Sequence, residues 1–180
     1  MKIEDLKKPL TIEQIDFRIQ SINKGGYATI LAYKDARADM NRLDEVVGAL
    51  NWKREHTRDN ANCIISIWDD VAQHWVSKED TGAESFTEKE KGLASDSFKR
   101  AGFNWGIGRE LYDYPIIQVK LNADEFQVVD GKVRQTYNLK LREWTWYSEF
   151  NDGRISFLGA KDQNGNLRYK WGTSSKTLNK

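Results

Sequence analysis

The sequence predicts an α+β protein: a mixed helix and strand block up to about residue 114, followed by a β-rich extension over 115–180. Three observations carry that reading. Apolar residues recur at helical spacing in three stretches before residue 114. A run of short β-forming segments with turn residues between them separates the second and third of these. After Tyr114-Pro115 only strand-like segments follow, punctuated by Asp130-Gly131, Asp152-Gly153 and Asn164-Gly165.

The elements follow in order. A helix is expected from Thr11, where Thr11 and Gln14 have the spacing of a capping box and Ile12, Ile15, Ile19 and Ile22 fall on one helical face. Lys24-Gly25-Gly26 ends it. Residues 28–34 (ATILAYK) read as a strand, and Met40, Leu43, Val46, Val47 and Leu50 restore the helical period over 36–50, with Gly48 as terminator. Segments 51–58, 62–68 and 74–78 form an antiparallel meander turned at Asp59-Asn60 and Asp69-Asp70. A helix from about Thr87 to Phe103 presents Leu93, Ala94, Phe98 and Ala101, with Glu88 and Glu90 early and Lys99 and Arg100 late, as the helix dipole favours. Beyond Pro115, IIQVKL, FQVV, VRQTYNLKL, REWTWYSEF, RISFLGA and LRYKW read as strands.

Composition narrows the function. The chain has 180 residues, 39% apolar and 31% charged, so a core can form without disulfides or metals. Cys63 is the single cysteine and reads as a buried small hydrophobe; two histidines are too few for a histidine-based metal site. No phosphate-binding GxxxxGK[ST] loop is present, and Asn104-Trp105-Gly106-Ile107-Gly108 follows a helix instead of opening one. The carboxylate pairs Asp69-Asp70 and Glu79-Asp80 come with no base at an informative spacing, and no nucleophile–base pair stands out. These features point to a non-enzymatic, cofactor-free protein. The first residues have no apolar leader, and no run is long enough to span a bilayer, so a cytoplasmic protein is expected.

A formal net charge of +1 means that any polyanion site is a local patch. Residues 87–109 hold five bases (Lys89, Lys91, Lys99, Arg100 and Arg109) against three acids. Lys99 and Arg100 point about 100° apart on a helix, so only one of them can lie at the centre of a given groove, although together they can still hold consecutive phosphates. A second excess lies in 151–180, with Arg154, Lys161, Arg168, Lys170, Lys176 and Lys180 against Asp152 and Asp162. Both patches read equally as solubilising charge. Trp144 and Trp146 alternate and so share a face, suited to a core, an interface or ligand stacking. A carbohydrate- or peptide-binding module using this Trp-rich extension is the alternative function.

Three stretches together resemble the Rad-fifty-two-type single-strand annealing superfamily, including its phage members. ASDSFKRAGFNWGIGRELYDY (94–114) is similar to the family's A-V-T-D-x-L-K-R-A helix and the segment after it, with Asp96, Phe98, Lys99, Arg100, Ala101, Phe103, Gly108, Leu111, Tyr112 and Asp113 in place. YKDARADMNRLDEVVGALNW (33–52) matches at Tyr33, Glu45, Gly48 and Trp52, and the meander ending in Lys78-Glu79-Asp80-Thr81-Gly82 resembles the family's E-D-x-G. The resemblance covers about residues 11–114. It implies a β-β-β-α core over residues 1–114, with a short antiparallel sheet packed on a long helix, and the β-rich extension beyond it. It also implies rings or filaments of identical subunits and a basic groove for single-stranded DNA. Lys99, Arg100 and Tyr33 are the groove residues carried over. A further family arginine has no counterpart before Tyr33, which leaves Lys34 or Arg37 as substitutes, and Lys91 and Arg109 extend the basic supply. The implied activity is annealing of complementary strands without ATP in recombination and repair, through a duplex intermediate. A phage origin in a bacterial host cytoplasm and an exonuclease or single-strand-binding partner are family-level expectations.

Overall fold

The computed structural model describes residues 2–83 and 89–175, with the side chains of 89–91 left aside. It is a mixed α+β protein with mostly antiparallel sheets. Its described residues divide into two compact units: Met1–Gln14 with Lys34–Arg109, and Ile15–Tyr33 with Glu110–Lys180.

In the first unit, α1 (Ala36–Val47) starts at Asp35, whose carboxylate accepts from the Arg37 amide at 2.7 Å. It stops at Gly48, as expected from the sequence. Strands β3 (Trp52–Thr57), β4 (Asn62–Asp69) and β5 (His74–Thr81) form the meander, in the order β3-β4-β5. Helix α2 (Lys89–Trp105) packs against β4 and β5. Register decides what it meets. Arg54, Ile65 and Lys78 align across the three strands, as do His56, Cys63 and Asp80. Cys63, Ile65 and Ile67 are buried with Phe98, Ala101 and Trp105 of α2, and the Trp105 indole donates to the Ile65 carbonyl at 3.1 Å. Cys63 is therefore a core residue, and burial pushes its thiol up to about 11. Arg42 ties the amino-terminal segment to α1 by donating to the Lys8 carbonyl at 2.6 Å and the Asp5 carbonyl at 3.2 Å.

In the second unit, β1 (Ile15–Ile22) and β2 (Tyr27–Lys34, of which Lys34 falls in the first unit) form a hairpin, and β2 pairs with β6 (Ile117–Lys120). Strands β7 (Phe126–Val129) and β8 (Lys132–Gln135) pair alone. Strands β9 (Thr145–Asn151), β10 (Arg154–Lys161) and β11 (Leu167–Gly172) make the third sheet of three. Asp130-Gly131 and Asp152-Gly153 turn their hairpins with positive φ at both residues, the conformation that two-residue hairpin loops require. Arg168 is buried between Glu125 and Asp162, at 2.7 and 3.4 Å.

Two expectations are corrected. The helix from Thr11 is a strand: only a 3-10 turn (Ile12–Gln14) forms before β1. The capping geometry is real, since the Thr11 amide donates to Gln14 Oε1 at 3.0 Å, but it closes a single turn. From Ile15 to Gln20 burial alternates residue by residue, and three β-branched isoleucines suit that pleated surface better than a helix. The second correction concerns VRQTYNLKL, which is strand only to Gln135; Leu141–Glu143 is a 3-10 turn, and β9 begins at Thr145.

Candidate nucleic-acid interface

Helix α2 organises the basic residues of the first unit. Residues four apart share a helix face, so Asp96, Arg100 and Asn104 form one line and Lys99 and Phe103 a second. Along the first line, Arg100 Nε donates to Asp96 Oδ2 at 3.2 Å, with the Arg100 side chain 41% exposed. Asp96 also accepts from the Ala83 amide at 2.8 Å, and Asn104 donates to the Glu79 carbonyl and to Asp80. These bonds tie this face of α2 to the end of β5.

The second line faces the start of α1. Lys99 is half-buried and acts electrostatically on Asp35 and Asp39. Asp35 is held below its ordinary value first by its hydrogen bonds from Arg37, with Lys99 adding to that field. The Arg37 guanidinium sits 2.9 Å from Asp35 and is 79% exposed. Arg37 is thus bound to the Asp35 carboxylate, on which Lys99 acts only through its field, with Arg100 next to Lys99 on the helix.

Lys34 is placed differently. Its ammonium is 1% exposed, 2.5 Å from Asp39 Oδ1 and 2.6 Å from the Ile107 carbonyl, and it lies 3.9 Å from the centre of the Phe103 ring. Burial pushes the Asp39 carboxyl up to about 6 against the pull of Lys34. A Cβ at Gly102 would stand 2.0 Å from Asp39 Oδ1, so only glycine lets α2 approach this pair. Lys34 is consequently an internal cation with no face toward solvent.

A second basic group gathers at the carboxyl end of α2, about 9 Å along the axis from Lys99. Arg109 donates to the Phe103 carbonyl at 2.7 Å and to that of Asn104 at 3.1 Å, and Lys78 donates to Asn104 at 2.8 Å. These cations satisfy carbonyls that the helix end leaves unpaired. Burial lowers the Lys78 ammonium, and Arg109 and Lys7 add to that shift. Lys78, Arg109 and Lys7 thus concentrate positive charge near this end of the helix. Lys78 was missed in the sequence, although its place opposite Arg54 and Ile65 in the sheet register aims it at α2. The side chain of Lys91 lies outside the described residues.

In the second unit, Tyr33 on β2 carries the Arg18 guanidinium 5.4 Å from its ring centre. Arg18 was missed because a helix was expected there. Trp144 and Trp146 are both buried, 6.3 Å apart and stacked, and Trp146 lies parallel to Phe17 at 3.7 Å. They form core and offer no open stacking platform. Of the bases in 151–180, Arg168 is internal, and Lys176 and Lys180 lie outside the described residues. Among the described residues no three His, Cys, Asp or Glu side chains gather as a metal site, and no helix is long and apolar enough to cross a membrane.

Comparison with known proteins agrees with the resemblance seen in the motifs. The single-stranded DNA-binding protein DdrA of Deinococcus deserti is 30% identical over 178 residues, covering 94% of this chain and 83% of the relative. DdrA of Deinococcus radiodurans is 31% identical over 122 residues, 64% of this chain, and that match spans 58% of the relative's own length. No solved structure matches. Residues 2–129 match the family described as Rad52/22 family double-strand break repair protein. That match takes in both helices, the three-stranded meander and the basic residues around α2, and the chain belongs to the Rad52/22 family.

Proposed function

We propose that this chain binds single-stranded DNA in recombination and repair and anneals complementary strands without nucleotide hydrolysis. The observation that carries the reading is the grouping of Arg37, Lys99 and Arg100 about α2, with Arg109 and Lys78 at its carboxyl end. The names of the DdrA relatives and the family match support the ligand. Lys34 is not part of the proposed track, because its ammonium is internal.

Phosphate contacts of this kind are insensitive to sequence. They release counterions, so affinity falls steeply with salt. A strand held by its backbone keeps its base edges available to a complement, and duplex stacking, about 1.4 kcal/mol per step, drives the product. Repetition of the track in a ring or filament of subunits would multiply weak contacts into avidity.

Fluorescence polarisation with a labelled oligonucleotide tests the reading. Lys99→Glu with Arg100→Glu should weaken binding at least tenfold, reduce the salt slope by about two and slow renaturation of complementary strands. Unchanged affinity and renaturation rate in a folded variant would refute it.

A further inference from the structure

The strongest feature outside α2 is a groove of about 480 Å³ in the second unit, between β1 and the segment 135–143. That volume lies within the ~300–1,000 Å³ of sites that hold a small organic ligand. Its apolar lining is Phe17, Ile19, Leu139 and Leu141. Phe17 is held by its stack on Trp146, and Leu139 and Leu141 are buried. The polar lining includes Arg18, Lys140 and Arg142 against a single acid, Glu143. Lys140 stands 3.7 Å from Glu143, whereas neither Arg18 nor Arg142 is paired with an acid among the described residues.

Tyr137, on the same groove, is 89% exposed, with the Lys140 ammonium 5.8 Å from its ring centre. The segment that carries it is fixed. Thr136 donates its amide to the Glu125 carbonyl and its hydroxyl to the Asp124 carbonyl, and the Asn138 side chain donates to Asp124 Oδ2. The ring therefore stands on a rigid support in a groove that Arg18, whose guanidinium lies over the Tyr33 ring, and Arg142 also line.

We propose that this groove takes one segment of the single strand, with a base stacked on Tyr137 and its phosphates held by Arg18 and Arg142. Every base has an aromatic face, so stacking tolerates any sequence, and cations beside an exposed ring match the alternation of base and phosphate. The excess of positive charge favours this occupant over an extended peptide added to the free edge of β1. The inference rests on the proposed function for its ligand but on separate residues. Residues 130–143 lie beyond the family match, whereas Phe17, Arg18 and Ile19 lie within it, so the groove joins the two parts of the chain.

Two measurements on the full chain test it. An oligonucleotide carrying 5-iododeoxyuridine, irradiated in the complex, should crosslink to a peptide containing Tyr137. Tyr137→Ala should weaken oligonucleotide affinity at least fivefold, as loss of one stacked base requires. Arg142→Ala should lower the salt slope by about one. Both side chains are exposed, so the variants should keep the wild-type circular dichroism. Wild-type affinity and slope in both variants, with crosslinks confined elsewhere, would overturn the inference. If Lys99→Ala with Arg100→Ala leaves binding intact while Tyr137→Ala weakens it, the α2 track fails and the groove stands. The opposite pattern removes the groove alone.

Discussion

Replacing Lys34 by methionine separates an internal cation from a phosphate contact. Both side chains of the Lys34–Asp39 pair are at most 1% exposed, and Asp39 Oδ2 already lacks a hydrogen-bond partner. Removing the ammonium leaves a buried carboxyl without its cation and takes a donor from the Ile107 carbonyl. Breaking a buried pair in this way costs about 3–5 kcal/mol. With a urea slope near ~2 kcal/mol per molar, the unfolding midpoint should fall by roughly 2 M. The effect depends on pH with a definite sign. Asp39 is already raised to about 6 from an ordinary 3.8, and loss of Lys34 raises it further. A raised carboxyl favours the folded state below its unfolded value and loses that contribution as pH rises through the folded one. The penalty should therefore be largest at pH 7–8 and shrink toward pH 4. Adding Asp39→Leu should restore most of the lost stability, because no lone charge remains. A midpoint shift equivalent to less than about 1 kcal/mol, or a penalty that grows on acidification, would refute the reasoning.

Two further outcomes follow from the packing. Gly102→Ala drives a methyl into the carboxylate held by Lys34, so thermal unfolding should occur earlier by an amount equivalent to about 1–3 kcal/mol. Trp146→Ala empties the space between Phe17 and Trp144 and should destabilise by about 3–5 kcal/mol in urea titration; a stable variant that has lost only affinity for a carbohydrate or peptide would favour the alternative reading.

Local pattern made much of the fold legible. Helix α1, the meander and α2 follow from residue spacing, turn chemistry and a glycine stop, all of which act within a few residues. The segment Thr11–Ile22 misled because isoleucines at positions 12, 15, 19 and 22 satisfy a helical period, while they are also β-branched and burial alternates residue by residue from Ile15 to Gln20. The pairing of β2 with β6 joins Tyr27 to Lys120, and no local pattern encodes a contact at that separation. The basic residues of α2 were legible from charge and motif. The inward turn of Lys34 was not: it depends on Asp39, Phe103, Gly102 and Ile107 meeting in space. Arg18 and Lys78 became visible only once strand register assigned their faces.

The order in which the chain visits its two units has a consequence for how it can be made and cut. Ile15–Tyr33 belongs with residues after Glu110, although Lys34–Arg109 lies between them in sequence. A protein shortened at residue 114 would carry a hairpin whose neighbouring strand, β6, had been discarded, leaving an open edge prone to self-association. The same hairpin, emerging early during synthesis, must wait some eighty residues for that neighbour. Neither unit is a contiguous fragment, and binding experiments on this protein call for the whole chain.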